Sequence, residues 1–177
     1  MKKQTIALIK KDFHFGGGLE KVTTKIVGAL MDAGMEVSFY TSKEGKLPCA
    51  TYTHAPKGFL KSQQLKKFDR WACEKTAKYD VIFSMDRCSR QTHHRAGNGV
   101  HAAYLDLRAT LEGPLQRLSF ALNPLHRLHL QLEKMTFESS ETRVIIVNSA
   151  MVRHQILHYY NTPPSKIHVI HNGGLLS

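Results

Sequence analysis

Hydrophobic positions fall in short blocks, and the spacing inside each block separates strand from helix. "TIALIK" (residues 5–10) is a compact apolar run of the length of a buried strand. Beyond it Leu19, Val22, Ile26 and Leu30 recur at helical intervals, and "DAG" (32–34) supplies a glycine stop. "MEVSFYTS" (35–42) alternates and is rich in β-branched and aromatic residues, as a strand should be. The opening therefore reads strand, glycine loop, helix, strand: a βαβ unit, whose crossover is expected to be right-handed.

The pattern repeats downstream. "ATYTHAP" is a short strand candidate. Residues 60–79 read as a helix with Leu65, Phe68, Ala72 and Tyr79 apolar and a Lys/Arg-rich remainder. "DVIFSM" (80–85) is another buried strand, followed by a polar stretch, "DRCSRQTHHRAGNG". Three helical segments come next: one near Val100, one from Pro114, and one from Pro124 to about Ser139. Asn123-Pro124 fits an N-cap followed by proline at the first helical position. "RVIIVNS" (143–149) is the clearest strand, Ser149 caps a helix over 150–160, and "IHVIHNGG" is a last strand. Strands alternating with helices predict an α/β fold: a Rossmann-like, three-layer domain around a mostly parallel sheet.

A chain of 177 residues, 42% hydrophobic, is enough for one well-buried domain and short for two. Charge adds a second constraint. There are 25 Lys+Arg against 14 Asp+Glu, with 11 His besides, which predicts anionic partners without naming them. The three cysteines, Cys49, Cys73 and Cys88, are widely spaced and lack CxxC pairing, which fits a reducing compartment better than a disulfide framework or a zinc site. The N-terminal apolar run ends at Lys10-Lys11, too short for a signal peptide, and no stretch approaches spanning length. The sequence thus reads as cytosolic.

Three stretches carry candidate chemistry. "HFGGGLEK" (14–21) places Gly16, Gly17 and Gly18 ahead of a helix, where exposed N–H groups can receive an anion. It is not a GxGxxG fingerprint, and a merely tight turn is the other reading. "RAGNGVH" sets Arg95, Asn98 and His101 among two glycines, a combination suited to a polyhydroxylated or phosphorylated ligand; with 11 His in the chain, an incidental histidine is the alternative. His93-His94 are adjacent and lack partners for a metal set, so no metal and no cofactor are expected. The third stretch ends in His171-Asn172-Gly173-Gly174, a turn where a linker would begin.

Taken together, "FGGGLEKV", "VIFSMDR…RAGNGVHAAYL" and "VIIVNSAMVRHQILHYY…PSKIHVIHNG" resemble the N-terminal domain of retaining GT-B glycosyltransferases, of the lipopolysaccharide core glucosyltransferase I type. The likeness covers essentially all 177 residues. It implies one half of a GT-B fold, with a C-terminal nucleotide-sugar-binding domain expected beyond a linker from about residue 172. It implies that Gly16, Gly17 and Gly18 lie near the donor diphosphate and acceptor. It gives His101 a catalytic contact to the transferred sugar or acceptor, and Arg95 and Asn98 an acceptor-binding role. Family members often carry an acid where this chain has Asn98, which weakens a general-base role there. Asn172 and Gly173 would form the hinge. Without the second domain, little or no transferase activity is expected of this chain alone.

The partners so implied are a nucleotide-sugar donor, a lipid-linked glycan acceptor and an anionic membrane surface, with the protein peripheral on the cytoplasmic face of the inner membrane. Within "PLQRLSFALNPLHRLHLQLEKMTF" (114–137), Leu118, Leu122, Leu125, Leu132 and Met135 share one side, and Arg117, Phe120, Arg127 and Lys134 another. Basic residues beside an exposed aromatic suit an interfacial helix, and each cation adds about 1 kcal/mol at an anionic leaflet. An ordinary amphipathic helix packed on the sheet is the competing reading. Two other functions remain in view. A basic α/β nucleic-acid-binding module fits the charge, but no recognition helix or RNP-type aromatic pattern accompanies it, so no nucleic acid is expected. A self-sufficient nucleotide-binding enzyme would need a catalytic acid, for which Asp86 and Asp106 are the candidates.

Overall fold

The computed structural model describes residues 3–13, 18–43 and 47–171. Among these residues seven strands and six α-helices follow in this order: β1 (Thr5–Ile9), α1 (Gly18–Asp32), β2 (Glu36–Thr41), β3 (Ala50–Thr53), α2 (Lys61–Thr76), β4 (Val81–Ser84), β5 (His93–Ala96), α3 (His101–Glu112), α4 (Pro114–Leu122), α5 (Pro124–Glu138), β6 (Val144–Val147), α6 (Ala150–Tyr159) and β7 (Ile167–Val169). The strands form one sheet in the order β3-β2-β1-β4-β5-β6-β7, with every pairing parallel.

A parallel sheet has to be covered on both faces, and the strand sequences show it. Because successive side chains alternate, Leu8 joins Phe39, Phe83 and Val27 of α1 on one face. Ala7 and Ile9 join Tyr40, Ile82 and the α2 residues Phe68 and Ala72 on the other. Under α5 and α6, a further cluster unites Ile145, Val147, Phe137 and Ile156. The expected caps are present: the Asn123 side chain accepts from the backbone N–H of Leu125 and His126, and that of Ser149 from Val152. Gly34 closes α1 at φ 81°, a region glycine enters without strain.

One element departs from expectation. "HHRA" reads as part of a polar loop, yet it forms β5 between two strands, with Phe83 opposite His93 and Ala96 opposite Val147. Its polar groups are accommodated individually. His94 is 2% exposed, its Nδ1 lies 2.9 Å from Ser84 Oγ, and its ring meets Phe137 edge-on. Neighbouring strands supply the ladder that the local sequence does not advertise.

Candidate functional site

From β1 the chain winds outward to β2 and β3, then returns to place β4 on the opposite side of β1. Loops leaving β1 and β4 diverge at such a switch point and open a crevice beyond the carboxyl ends of the strands. A cleft of about 600 Å³ lies there. Lys11 and Asp12 reach it from beyond β1, Lys43 from beyond β2, Asp86 and Arg87 from beyond β4, and Asn98 from beyond β5. Lys61, Gln64 and Leu65 of α2 and Leu125 and His129 of α5 complete the wall.

The floor is knitted by hydrogen bonds between strand ends. The Lys11 N–H donates to Asp86 Oδ2 at 2.7 Å, tying the end of β1 to that of β4. The Thr41 and Ser42 hydroxyls donate to the Lys11 carbonyl at 3.0 and 2.7 Å, tying it to β2. Burial pushes the Asp86 carboxyl up, with the charge of Lys10 opposing.

Behind the cleft sits Glu133, fully buried on α5. Its Oε1 accepts from Arg87 Nε at 2.6 Å and from the His101 N–H at 2.7 Å. Its Oε2 accepts from the Ala102 N–H at 3.0 Å and the Tyr160 hydroxyl at 2.6 Å. Val100, at the N-cap of α3, offers no side-chain bond, so the carboxylate of a distant helix satisfies the first orphan amides and meets the positive end of the helix dipole. Arg87 also donates to the Gly99 carbonyl at 2.9 Å and so fixes the loop that carries Asn98.

The sequence-derived candidates come together only in part. Asn98 is exposed at the cleft between Gly97 and Gly99, the latter at φ 71°. Arg95 lies on β5 and is 8% exposed, its guanidinium packed over Gly97; it borders a small side crevice of about 20 Å³ rather than the main cleft. His101 opens α3, and its Nε2 is 3.0 Å from His126 Nδ1. It stacks near Tyr104, while the ring of His129 is 5.0 Å away. Of these histidines, His129 lines the cleft. Burial, then the Arg87 charge, pushes His101 down to about 4, so its imidazole is neutral at pH 7. Gly18 begins α1; Gly16, Gly17, Asn172 and Gly173 lie outside the described residues.

The expected basic face needs correction at Phe120. It is not an exposed aromatic: 7% exposed, it packs edge-on against His126 and under the Arg108 guanidinium, 5.0 Å from its ring centre. Arg127 and Lys134 are exposed, and the side chain of Arg117 lies outside the described set. Apolar surface is present nearby in different residues. Leu60, Leu118 and Leu122 are exposed and flank a groove of about 690 Å³, and Phe59, just ahead of α2, is fully exposed. Asp106 is bound by the Tyr159 hydroxyl at 2.7 Å and does not line the cleft, so of the two acids expected there only Asp86 does, beside Asp12. Among the described residues no cluster of His, Cys, Asp or Glu is arranged to hold a metal, and no helix is long and apolar enough to cross a membrane.

Sequence reasoning missed Arg87, Glu133 and the lysines of the cleft. Arg87 follows a recognisable strand end and was within reach of pattern reading. Glu133 was not, because its partners lie 46 and 32 residues away in sequence.

Comparison with known proteins places this geometry. A model described as Glycosyltransferase Family 4 matches residues 16–173. Among solved structures, the crystal structure of WaaG, a glycosyltransferase involved in lipopolysaccharide biosynthesis, matches with a TM-score of 0.81 at 18% identity. The match covers 93% of this chain and 44% of that one, so this chain spans less than half the length of its structural relative. At that identity the likeness speaks for the fold, a Rossmann-like half of the GT-B architecture. No curated protein matches.

Proposed function

The chain belongs to glycosyltransferase family 4, and from that premise we propose that it is the acceptor-binding half of a retaining sugar transferase. The observation that carries the proposal is the cleft at the β1/β4 switch point, where amide, cationic and apolar side chains converge in one concave site. Such a mixture suits a sugar: amides for hydroxyls, Leu65 and Leu125 for the ring face.

In this reading the donor is a nucleotide-sugar held mainly by a second domain that follows a hinge at Asn172–Gly173. The acceptor is a lipid-linked envelope glycan of the lipopolysaccharide core kind, a substrate class suggested by the resemblance to WaaG. Gly16, Gly17 and Gly18 bring backbone N–H groups towards the donor diphosphate, whose departure needs positive charge as the glycosidic bond breaks. His101 acts as a neutral hydrogen-bonding group, Asn98 orients the acceptor, and Arg95 supports the Asn98 loop. The chain alone transfers sugar poorly, because half of the charge-stabilising cleft belongs to the other domain.

Acceptors of this kind reside at a membrane, and the exposed Leu60, Leu118 and Leu122, which line a groove with Lys61, together with the exposed Phe59 just ahead of α2, offer a surface for peripheral attachment to an anionic leaflet. The test is transfer of radiolabelled sugar from a panel of nucleotide-sugars to isolated core glycolipid, with the full-length polypeptide and with this chain alone. Transfer by the full polypeptide that Asn98→Ala reduces supports the proposal. Hydrolysis or transfer with inversion at the anomeric carbon overturns it.

A further inference from the structure

We infer that the apolar groove between the start of α2 and the end of α4 takes the hydrocarbon of the acceptor, so that one glycolipid lies with its sugar in the cleft and the start of its chain in the groove; this rests on the acceptor-binding role proposed above. The continuity of the two concavities is the reason. Lys61 of α2 and Leu125 of α5 line both the groove of about 690 Å³ and the cleft of about 600 Å³. One residue of each helix thus forms the junction between them.

The wall changes character at that junction. Gln64, Asp86, Arg87 and Asn98 stand on the cleft side. On the groove side Leu60, Leu118, Leu122 and Pro124 supply carbon, and no Asp, Glu or Arg lines it among the described residues. Leu60, Leu118 and Leu122 are exposed there, apolar area that a ligand removes from water. A ligand with a polar head and an apolar tail matches that division.

The polar groups of the groove favour a hydrocarbon over a peptide. A peptide brings backbone N–H and C=O groups that need partners once they are covered. The polar side chains of the wall are Lys61, Ser62, Ser119 and Asn123, and the Asn123 carbonyl oxygen already accepts from the N–H groups of Leu125 and His126 at the start of α5. A hydrocarbon asks for no such partners. The volume of about 690 Å³ also falls within the range of small-molecule sites, roughly 300–1,000 Å³. Because the tail enters beside Lys61 and Leu125, the lipid-linked acceptors that fit are those whose hydrocarbon begins close to the accepting sugar.

The experiment titrates the chain with methyl, butyl, hexyl and octyl glucoside, each below its micelle concentration, with backbone amide shifts reporting where each binds. Methyl glucoside is expected to move the amides of Gln64 and Asn98, and the longer members those of Leu118 and Leu122 as well. Affinity should rise about twofold per added methylene, as for CH₂ groups about half removed from water, and on the order of a hundredfold from methyl to octyl. Leu118→Ser combined with Leu122→Ser should flatten that rise without changing the Tm, since both side chains are exposed. A flat series in the wild-type chain, or an undiminished rise in the double variant, overturns the groove while the acceptor cleft stands. Hexanol binding the groove as tightly as hexyl glucoside would separate groove from cleft and overturn the inference. Groove shifts that appear only once micelles form overturn it in favour of a lipid surface, and shifts on raising the protein concentration alone overturn it in favour of a second copy. If no glucoside moves Gln64 or Asn98, the acceptor-binding reading falls with the inference.

Discussion

Arg87, just past β4, donates from Nε to Oε1 of Glu133 at 2.6 Å, although 46 residues separate them. The pair joins the sheet edge to α5, and through the His101 and Ala102 amides to α3. Breaking a buried ion pair by removing one partner strands the other, typically at a cost of 3–5 kcal/mol. Glu133→Leu is therefore expected to destabilise the chain by about 3 kcal/mol in urea unfolding. The double variant with Arg87→Met should recover part of that loss, because the stranded guanidinium is gone. Additive losses would show that the two side chains contribute independently.

Acid stability follows from two histidines. Burial pushes His94 down to about 3 and His101 down to about 4, while both titrate near 6.5 when unfolded. Below pH 6.5 the unfolded chain binds more protons than the folded one, so stability present above 6.5 is lost as pH falls. The Tm should decline from pH 6.5 towards 4 and continue to fall towards 3. His101→Gln is expected to flatten the upper part of that decline in a pH series of thermal melts; an unchanged slope would mean that its imidazole protonates freely in the fold.

Gly99 sits at φ 71° with open space where a Cβ would stand. The cost of Gly99→Ala is thus conformational and not steric, about 1–2 kcal/mol. The same loop carries Asn98, so ligand binding at the cleft should weaken along with stability. A Gly28→Ala control, in a helix and with space around it, should be neutral or mildly stabilising. Chemical denaturation of both variants checks the contrast.

The two phenylalanines near the apolar groove should behave oppositely. Phe59→Ser leaves the fold within about 0.5 kcal/mol, since the side chain is wholly exposed, but reduces sedimentation with anionic vesicles severalfold. Phe120→Ala removes a 7% exposed ring between His126 and Arg108 and destabilises by about 3 kcal/mol. Vesicle binding unaffected by Phe59→Ser, Leu118→Ser and Leu122→Ser together would remove the groove from any membrane role.

The periodic elements were legible from local pattern because burial imposes it directly. β1, β4 and β6 are apolar runs, β2 alternates, and α1 and α2 carry their core contacts at helical spacing. Asn123 and Ser149 were readable as caps, since a cap bonds to amides two or three residues away. Asn98 stands at the cleft, but the strand that carries it there, β5, was not legible, because "HHRA" reads as part of a polar loop.

What the tertiary structure alone decided is of another kind. β5 is a strand because β4 and β6 offer it a hydrogen-bond ladder, and His94 is tolerated because Ser84 and Phe137 lie beside it. Phe120 turned inward because His126 and Arg108 meet it from other positions of the chain. Glu133 became the cap of α3 by a contact invisible at any sequence period. Sequence by itself determined the repeating βα units, the basic balance and the glycine positions, all set within a turn or a strand of chain. The gathering of Lys11, Lys43, Lys61 and Asp86 into one cleft belongs to the parallel sheet order, which brings distant strand ends to a common edge.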